Sequence, residues 1–85
     1  MGTKEKLIER FKNQPKDFTW EELIRVFRIL GFTIDNKGRT SGSRVLFVNG
    51  EDAHTVHKPH PSNVIQRYIM KQVLDFLIEK GLITM

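Results

Sequence analysis

A short helix is predicted near the start of the chain, in the segment TKEKLIERFKNQP. Leu7, Ile8 and Phe11 fall on one face of this helix, and Thr3 is a suitable N-cap residue. Because the apolar stripe is thin, we expect residues 1–17 to form a peripheral N-terminal helix.

The segment TWEELIRVFRILG predicts a second helix with a wide apolar face. Thr19 followed by Glu22 matches a capping box, in which the two residues satisfy backbone donors at the helix start. Gly31 supplies a residue that ends a helix in the left-handed conformation. The residues expected on the buried face are Trp20, Leu23, Ile24, Phe27 and Leu30.

Three short segments after this helix, FTID, SRVLFVN and AHTVHK, alternate with the period of two that is typical of β-strands. In the second segment Val45 and Phe47 face away from Arg44, and in the third His54 faces away from His57. The sequence NGED between them predicts a tight hairpin, whose two central residues need positive φ. Since the strands are close in sequence, we expect an antiparallel meander.

The segment HPSNVIQRYIMKQVLDFLIEKG predicts a last helix, with Ser62 or Asn63 as its cap and Gly81 at its end. The fold class is therefore α+β, with the order α-α-β-β-β-α and a three-stranded antiparallel sheet packed by helices on one face. We expect one domain over residues 1–85, with its core in 18–83. The expected buried stripe of the last helix is Ile65, Ile69, Val73, Phe76 and Leu77.

The charge distribution makes the middle of the chain cationic. The net charge is +4, and there is no carboxylate between Asp35 and Glu51 or between Asp52 and Asp75. For a small domain, such a surface favours an anionic partner, with nucleic acid as the leading candidate, and a basic surface without function is the alternative. The basic residues of these two segments are Lys37, Arg39, Arg44, Lys58, Arg67 and Lys71.

The chain has no cysteine, which excludes disulfides and thiolate zinc sites. No run approaches the roughly 18 apolar residues of a membrane helix, and no apolar core of a signal peptide follows the N-terminus. We therefore expect a cytoplasmic protein that does not bind a membrane.

Three histidines at 54, 57 and 60 raise the question of a metal site. In a strand, His54 and His57 point to opposite faces, and no acid or cysteine lies nearby to complete a ligand set, so we expect no metal. The chain also has no G-x-S-x-G nucleophile motif, and GRTSGS does not end in the Gly-Lys-Ser/Thr of a phosphate-binding loop.

Acid/base chemistry on RNA needs fewer groups, because the 2′-hydroxyl of the ribose already lies beside the scissile phosphate. A histidine transfers protons near neutral pH, and His57 and His60 are available for this role. Arg44, Lys58 or Arg39 could stabilise the charge of the phosphate. The alternative is that the histidines are merely exposed at the end of a strand.

From Trp20 to Ile83 the sequence resembles the HicA family of small toxins, also called the YcfA-like family. The family pattern is a helix ending in L-x-x-x-GF, a polar basic loop, Gly-Ser-His at the start of a strand, a Pro-His segment, and a last helix ending in IL-x-x-x-G-I/L. The matching segments are VFRILGF at 26–32, SGSRVLF at 41–47, HKPH at 57–60 and VLDFLIEKGLI at 73–83.

The resemblance implies a double-stranded-RNA-binding-domain-like α-β-β-β-α fold, to which the first helix is an addition. It also implies a ribosome-independent mRNA interferase that acts on mRNA without a cofactor and is neutralised by a HicB-like antitoxin.

One residue departs from the family pattern at the catalytic position. The family's catalytic histidine follows Gly-Ser, and here Arg44 follows Gly42-Ser43. Arginine binds phosphate but does not act as a general base. One possibility is that another histidine takes over proton transfer, either His60, which matches a histidine frequent in the family, or else His57. The alternative is that the chain is a catalytically weak or inactive module that binds RNA or the antitoxin. The expected RNA-binding residues are Lys37, Arg39, Ser43, Arg44 and Lys58.

Overall fold

The computed structural model describes residues 3–35, 44–59 and 62–84. Its elements, in chain order, are α1 (Thr3–Lys12), α2 (Trp20–Ile29), β1 (Thr33–Asp35), β2 (Arg44–Asn49), β3 (Asp52–His57) and α3 (Arg67–Glu79). This order confirms the α+β class and the double-stranded-RNA-binding-domain-like α-β-β-β-α arrangement, preceded by one further helix. Within the described residues, no helix has the length and apolar character needed to cross a membrane.

The sheet is an antiparallel meander in the order β1-β2-β3, as predicted. Phe47 in the central strand pairs with Ile34 on one side and with His54 on the other. These three side chains share the face that packs against the helices, so we call it the core face. Leu46 and its partner Thr55 lie on the opposite face, which we call the outer face.

The hairpin between β2 and β3 differs in detail from the prediction. Asn49 pairs with Asp52 as the last residue of its strand, so the two central turn residues are Gly50 and Glu51. Only Gly50 of these two has a positive φ, at 63°. A glycine at the first central position is typical of a type II′ turn, whose twist suits a hairpin, and the expectation of two positive φ values was wrong.

Aromatic side chains join α2 to the core face. The ring of Phe47 stacks on Phe27 at 4.1 Å between centroids, and Trp20 lies 5.9 Å from the same ring. Phe32, which follows α2, meets Phe27 edge-on at 5.2 Å. All four rings are buried, so this cluster fixes the position of α2 over the sheet.

The start of α2 carries the predicted capping box. The Thr19 hydroxyl accepts a hydrogen bond from the Glu22 backbone N–H, and the Glu22 carboxylate accepts one from the Thr19 backbone. Arg10 of α1 donates to Glu22 at 2.9 Å and to Asp17 at 3.1 Å. Burial opposes ionisation of Glu22, but the hydrogen bonds from Arg10 and Thr19 outweigh it and lower the pKa of Glu22.

The last helix begins later than predicted, and neither Ser62 nor Asn63 caps it. Residues 62–66 are not helical: the backbone N–H of Ile65 donates to the carbonyl of Phe18 at 2.8 Å, and the N–H of Trp20 donates to that of Asn63 at 2.9 Å. The N-cap position of α3 is Gln66, whose side chain makes no capping bond. This pairing holds the connection between β3 and α3 against the start of α2.

Helix α3 packs with a wider face than the predicted stripe. Val73 and Leu77 are buried as expected, whereas Phe76 is half-buried. Ile65 is buried as well, but from the extended segment and not from the helix. The buried residues of α3 are Met70, Val73, Leu74 and Leu77.

Candidate functional site

Arg44 and His57 face each other across the two strands of the hairpin. They are partners in the antiparallel register, at the end of β2–β3 that lies away from the turn. Directly opposite residues share one face of the sheet and have Cβ atoms about 4.5–5.5 Å apart. Both side chains are exposed on the outer face. The fold therefore brings together a guanidinium group and an imidazole where a ligand in solution can reach both.

His54 lies on the core face and is separated from this pair by the sheet. Its ring stacks on Phe76 of α3 at 4.5 Å between centroids, and the side chain is half-buried. Because burial disfavours the charged imidazolium, the pKa of His54 lies below its ordinary value. The prediction that His54 and His57 point to opposite faces is confirmed, and His54 packs on Phe76 of α3.

The described residues contain no group of three or more His, Asp or Glu side chains that could hold a metal ion. The pair of Arg44 and His57 offers one imidazole and one permanent cation. Its chemistry suits an anion with a proton to exchange.

Lys58 and Pro59 follow β3 in the chain, and both line a shallow cavity of about 290 Å³ beside the start of α3. Lys58 is exposed and close enough to Glu21 of α2 to favour the ionised form of that carboxyl. The pKa of Glu21 is lowered mainly by a hydrogen bond from the Asn63 side chain, then by its own backbone N–H, and to a smaller extent by Lys58. The cavity is lined by His57, Lys58, Pro59, Ile65, Gln66, Tyr68 and Ile69.

Four of the residues that the sequence analysis assigns to the site lie outside the described residues. They are Lys37, Arg39, Ser43 and His60. Of the remaining three, Arg44 and His57 share the outer face, and Lys58 follows His57 at the rim of the cavity.

Tyr68 was not among the predicted site residues, and it lines the same cavity as His57 and Lys58. Tyr68 lies in the first turn of α3 and is 62% exposed. A signal was present in the sequence: Tyr68 is off the apolar stripe of its helix, between Arg67 and the stripe residue Ile69.

A family model described as HicA toxin of bacterial toxin–antitoxin matches residues 20–77. The match covers α2, the whole sheet and most of α3, and it includes both Arg44 and His57. Helix α1 lies outside it. Searches of curated proteins and of solved structures gave no significant match. Because the matched segment makes up more than half of the 85 residues, the chain belongs to the HicA family of toxins, which act in bacterial toxin–antitoxin systems and are paired with an antitoxin.

Proposed function

We propose that this HicA toxin is an mRNA interferase that cleaves RNA by metal-independent acid/base chemistry. The observation that carries the proposal is the direct opposition of Arg44 and His57 on the exposed outer face. RNA supplies its own nucleophile, so the protein needs only a proton acceptor, a proton donor and a positive charge.

The proposed reaction is an internal transfer of the phosphoryl group. The ribose 2′-oxygen attacks the adjacent phosphorus while a base removes its proton, and the bond from phosphorus to the 5′-oxygen breaks as an acid protonates that oxygen. The products are a 2′,3′-cyclic phosphate and a 5′-hydroxyl end. His57 has the chemistry for either proton transfer, and the fork of Arg44 suits the two non-bridging oxygens, whose charge grows in the transition state.

His60 is the second candidate for proton transfer, on the strength of the family resemblance. Two histidines would allow one to act as base while the other acts as acid. Lys58 is exposed next to His57 and suits a neighbouring phosphate. Lys37, Arg39 and Ser43 complete the proposed RNA-binding residues.

The test is incubation of the purified toxin with RNA, followed by analysis of the ends formed. Cleavage with a 2′,3′-cyclic phosphate, insensitive to EDTA and absent for a substrate with 2′-deoxyribose, supports the proposal. His57→Ala and His60→Ala identify the proton-transfer group, because loss of a general acid or base costs about 10²- to 10⁴-fold in rate. Arg44→Ala should slow the same step.

A matched control is Thr55→Ala, which changes an exposed residue of the outer face two positions from His57. This variant should keep the full rate. RNA that stays intact with the unmodified toxin, or cleavage unaffected by both histidine changes, would refute the enzymatic proposal.

Arg44 itself favours a second candidate function, a module that binds RNA or the antitoxin without efficient cleavage. The discriminating variant is Arg44→His, because its imidazole would stand opposite His57 in the register. If the scaffold is otherwise competent, this change should create or greatly increase cleavage. No gain, combined with RNA binding that weakens with salt, would favour the binding module.

A further inference from the structure

Tyr68 is the most exposed large apolar side chain among the described residues. It is 62% exposed, whereas Ile78 at the other end of the same helix is 37% exposed. Its ring lines two cavities: the one of about 290 Å³ beside His57 and Lys58, and a second of about 510 Å³ on the side of Gln14. An aromatic ring that is exposed to this extent is available for stacking.

The surroundings of Tyr68 carry positive charge. Lys58 lines the first cavity, and Arg67 and Lys71 line the second. The first turn of α3 contains no acidic residue. Lys71 pairs with Asp75 at 3.3 Å, but both side chains are well exposed, and ion pairs in solvent contribute little to stability.

Two carboxylates, Asp75 and Glu21, lie close to cations of this surface. Glu21 accepts a hydrogen bond from Asn63 and is close to Lys58. Among the residues that the structure describes, no carboxylate lines either of the two cavities at Tyr68. An exposed aromatic ring among cations is the combination by which proteins bind unpaired nucleotides, since the ring stacks on a base and the cations contact the backbone.

We infer that Tyr68 is a stacking platform for an unpaired RNA base, at the cavity that it shares with His57 and Lys58. The inference rests on the proposed function, and it adds that the substrate is single-stranded at this point. Bases within a duplex are stacked on each other and do not offer a free face, whereas bases of single strands and loops do. His57, Lys58 and Tyr68 line one cavity, so a strand bound at the ring of Tyr68 would also lie close to His57.

The experiment measures binding of a labelled single-stranded RNA of about 12 nucleotides, within the site sizes of small single-strand-binding domains. Every ribose carries a 2′-O-methyl group, which removes the nucleophile and separates binding from cleavage. Tyr68→Ala should weaken binding by about 5- to 150-fold, the affinity equivalent of losing one stacked base. Tyr68→Phe, which keeps the ring, should bind within about twofold of the unmodified toxin.

Two controls separate stacking from charge and from folding. Ile78→Ala removes a partly exposed apolar side chain from the far end of α3 and should leave RNA binding unchanged. An abasic oligonucleotide of the same length keeps the phosphates, so the toxin and Tyr68→Ala should bind it equally. Because Tyr68 is exposed, its alanine variant should unfold at the same temperature as the unmodified toxin.

The ring can also be observed directly, since Tyr68 is the only tyrosine of the chain. Its ring proton resonances should move upfield when the RNA is added, because a stacked base shields them. The inference would be overturned if Tyr68→Ala bound the RNA as tightly as the unmodified toxin does and if the Tyr68 resonances of the unmodified toxin did not move. The proposed function would stay intact in that case. The inference would also be overturned if Tyr68→Ala lost affinity only for the antitoxin and not for RNA. If the unmodified toxin binds no RNA at all, the proposed function itself fails.

Discussion

Replacing Phe11 by alanine should destabilise the whole domain, although this residue lies outside the family match. Its side chain is completely buried and packs at 5.5 Å against Phe18, in the segment between α1 and α2. Truncation of a buried phenylalanine to alanine costs about 3–5 kcal/mol. A domain of this size has a total stability of roughly 4–13 kcal/mol, so Phe11→Ala should remove a large share of it.

The assay is unfolding in urea, followed by the fluorescence of Trp20, the only tryptophan, which is buried in the same core. A loss of about 3 kcal/mol corresponds to a decrease in Tm of more than about 10 °C for a domain of this length. Lys6→Ala, at an exposed position of the same helix, is the control and should change stability by less than about 0.5 kcal/mol. If Phe11→Ala costs under about 1 kcal/mol, residues 1–17 are peripheral, as their thin apolar stripe suggests, and the reasoning from burial is refuted.

Three further predictions concern other parts of the chain. Thr19→Ala should cost about 1 kcal/mol in urea unfolding, because the α2 capping box loses its side-chain acceptor, and an unchanged midpoint would contradict this. The free energy of unfolding should fall as the pH drops below about 6.5, since unfolded His54 takes up a proton there whereas folded His54, with its lowered pKa, does not. His54→Phe should flatten that dependence, and an equal slope would exclude His54 as its source. Lys58→Gln should reduce the slope of log affinity for single-stranded RNA against log salt by about 0.7, and an unchanged slope would remove Lys58 from the RNA contact.

The order of elements and the faces of the strands were predictable because they depend on local patterns. The capping residue Thr19 and the terminator Gly31, which has a φ of 95°, mark α2 by neighbouring residues alone. The alternation of β2 and β3 also determines which side chains share a face, so the placement of His54 and His57 on opposite faces followed from the sequence.

The start of α3 was not predictable from the same patterns. Ile65 fits the apolar stripe of a helix, and Ser62 and Asn63 are common capping residues. In the structure, Ile65 instead gives its backbone N–H to Phe18, which is 47 residues away in sequence. A pairing over that separation leaves no periodic signal, because it depends on how α2 packs on the sheet.

The widened buried faces have a related cause. A single stripe is expected for a helix that contacts one neighbour, but α2 contacts both α1 and the sheet. Val26 is therefore fully buried although it is off the predicted stripe, while Ile24 on that stripe is only half-buried. The apolar stripe shows which side of the helix faces the core. The number of elements that pack against the helix determines how wide its buried face is.

The register of the sheet changes how the substitution at position 44 is interpreted. From the sequence alone, Arg44 in place of the family's histidine suggests that a catalytic group has been lost. In the structure, position 44 is directly opposite position 57, so side chains from either strand extend over the same part of the outer face. An imidazole from His57 therefore starts within about 6 Å of the backbone position from which the family's histidine would extend. In the proposed mechanism, the proton-transfer group has moved across the strand pair, and Arg44 supplies the positive charge in its place. On this interpretation, Arg44→His should not merely restore a lost function but produce a pair of histidines with complementary acid and base roles.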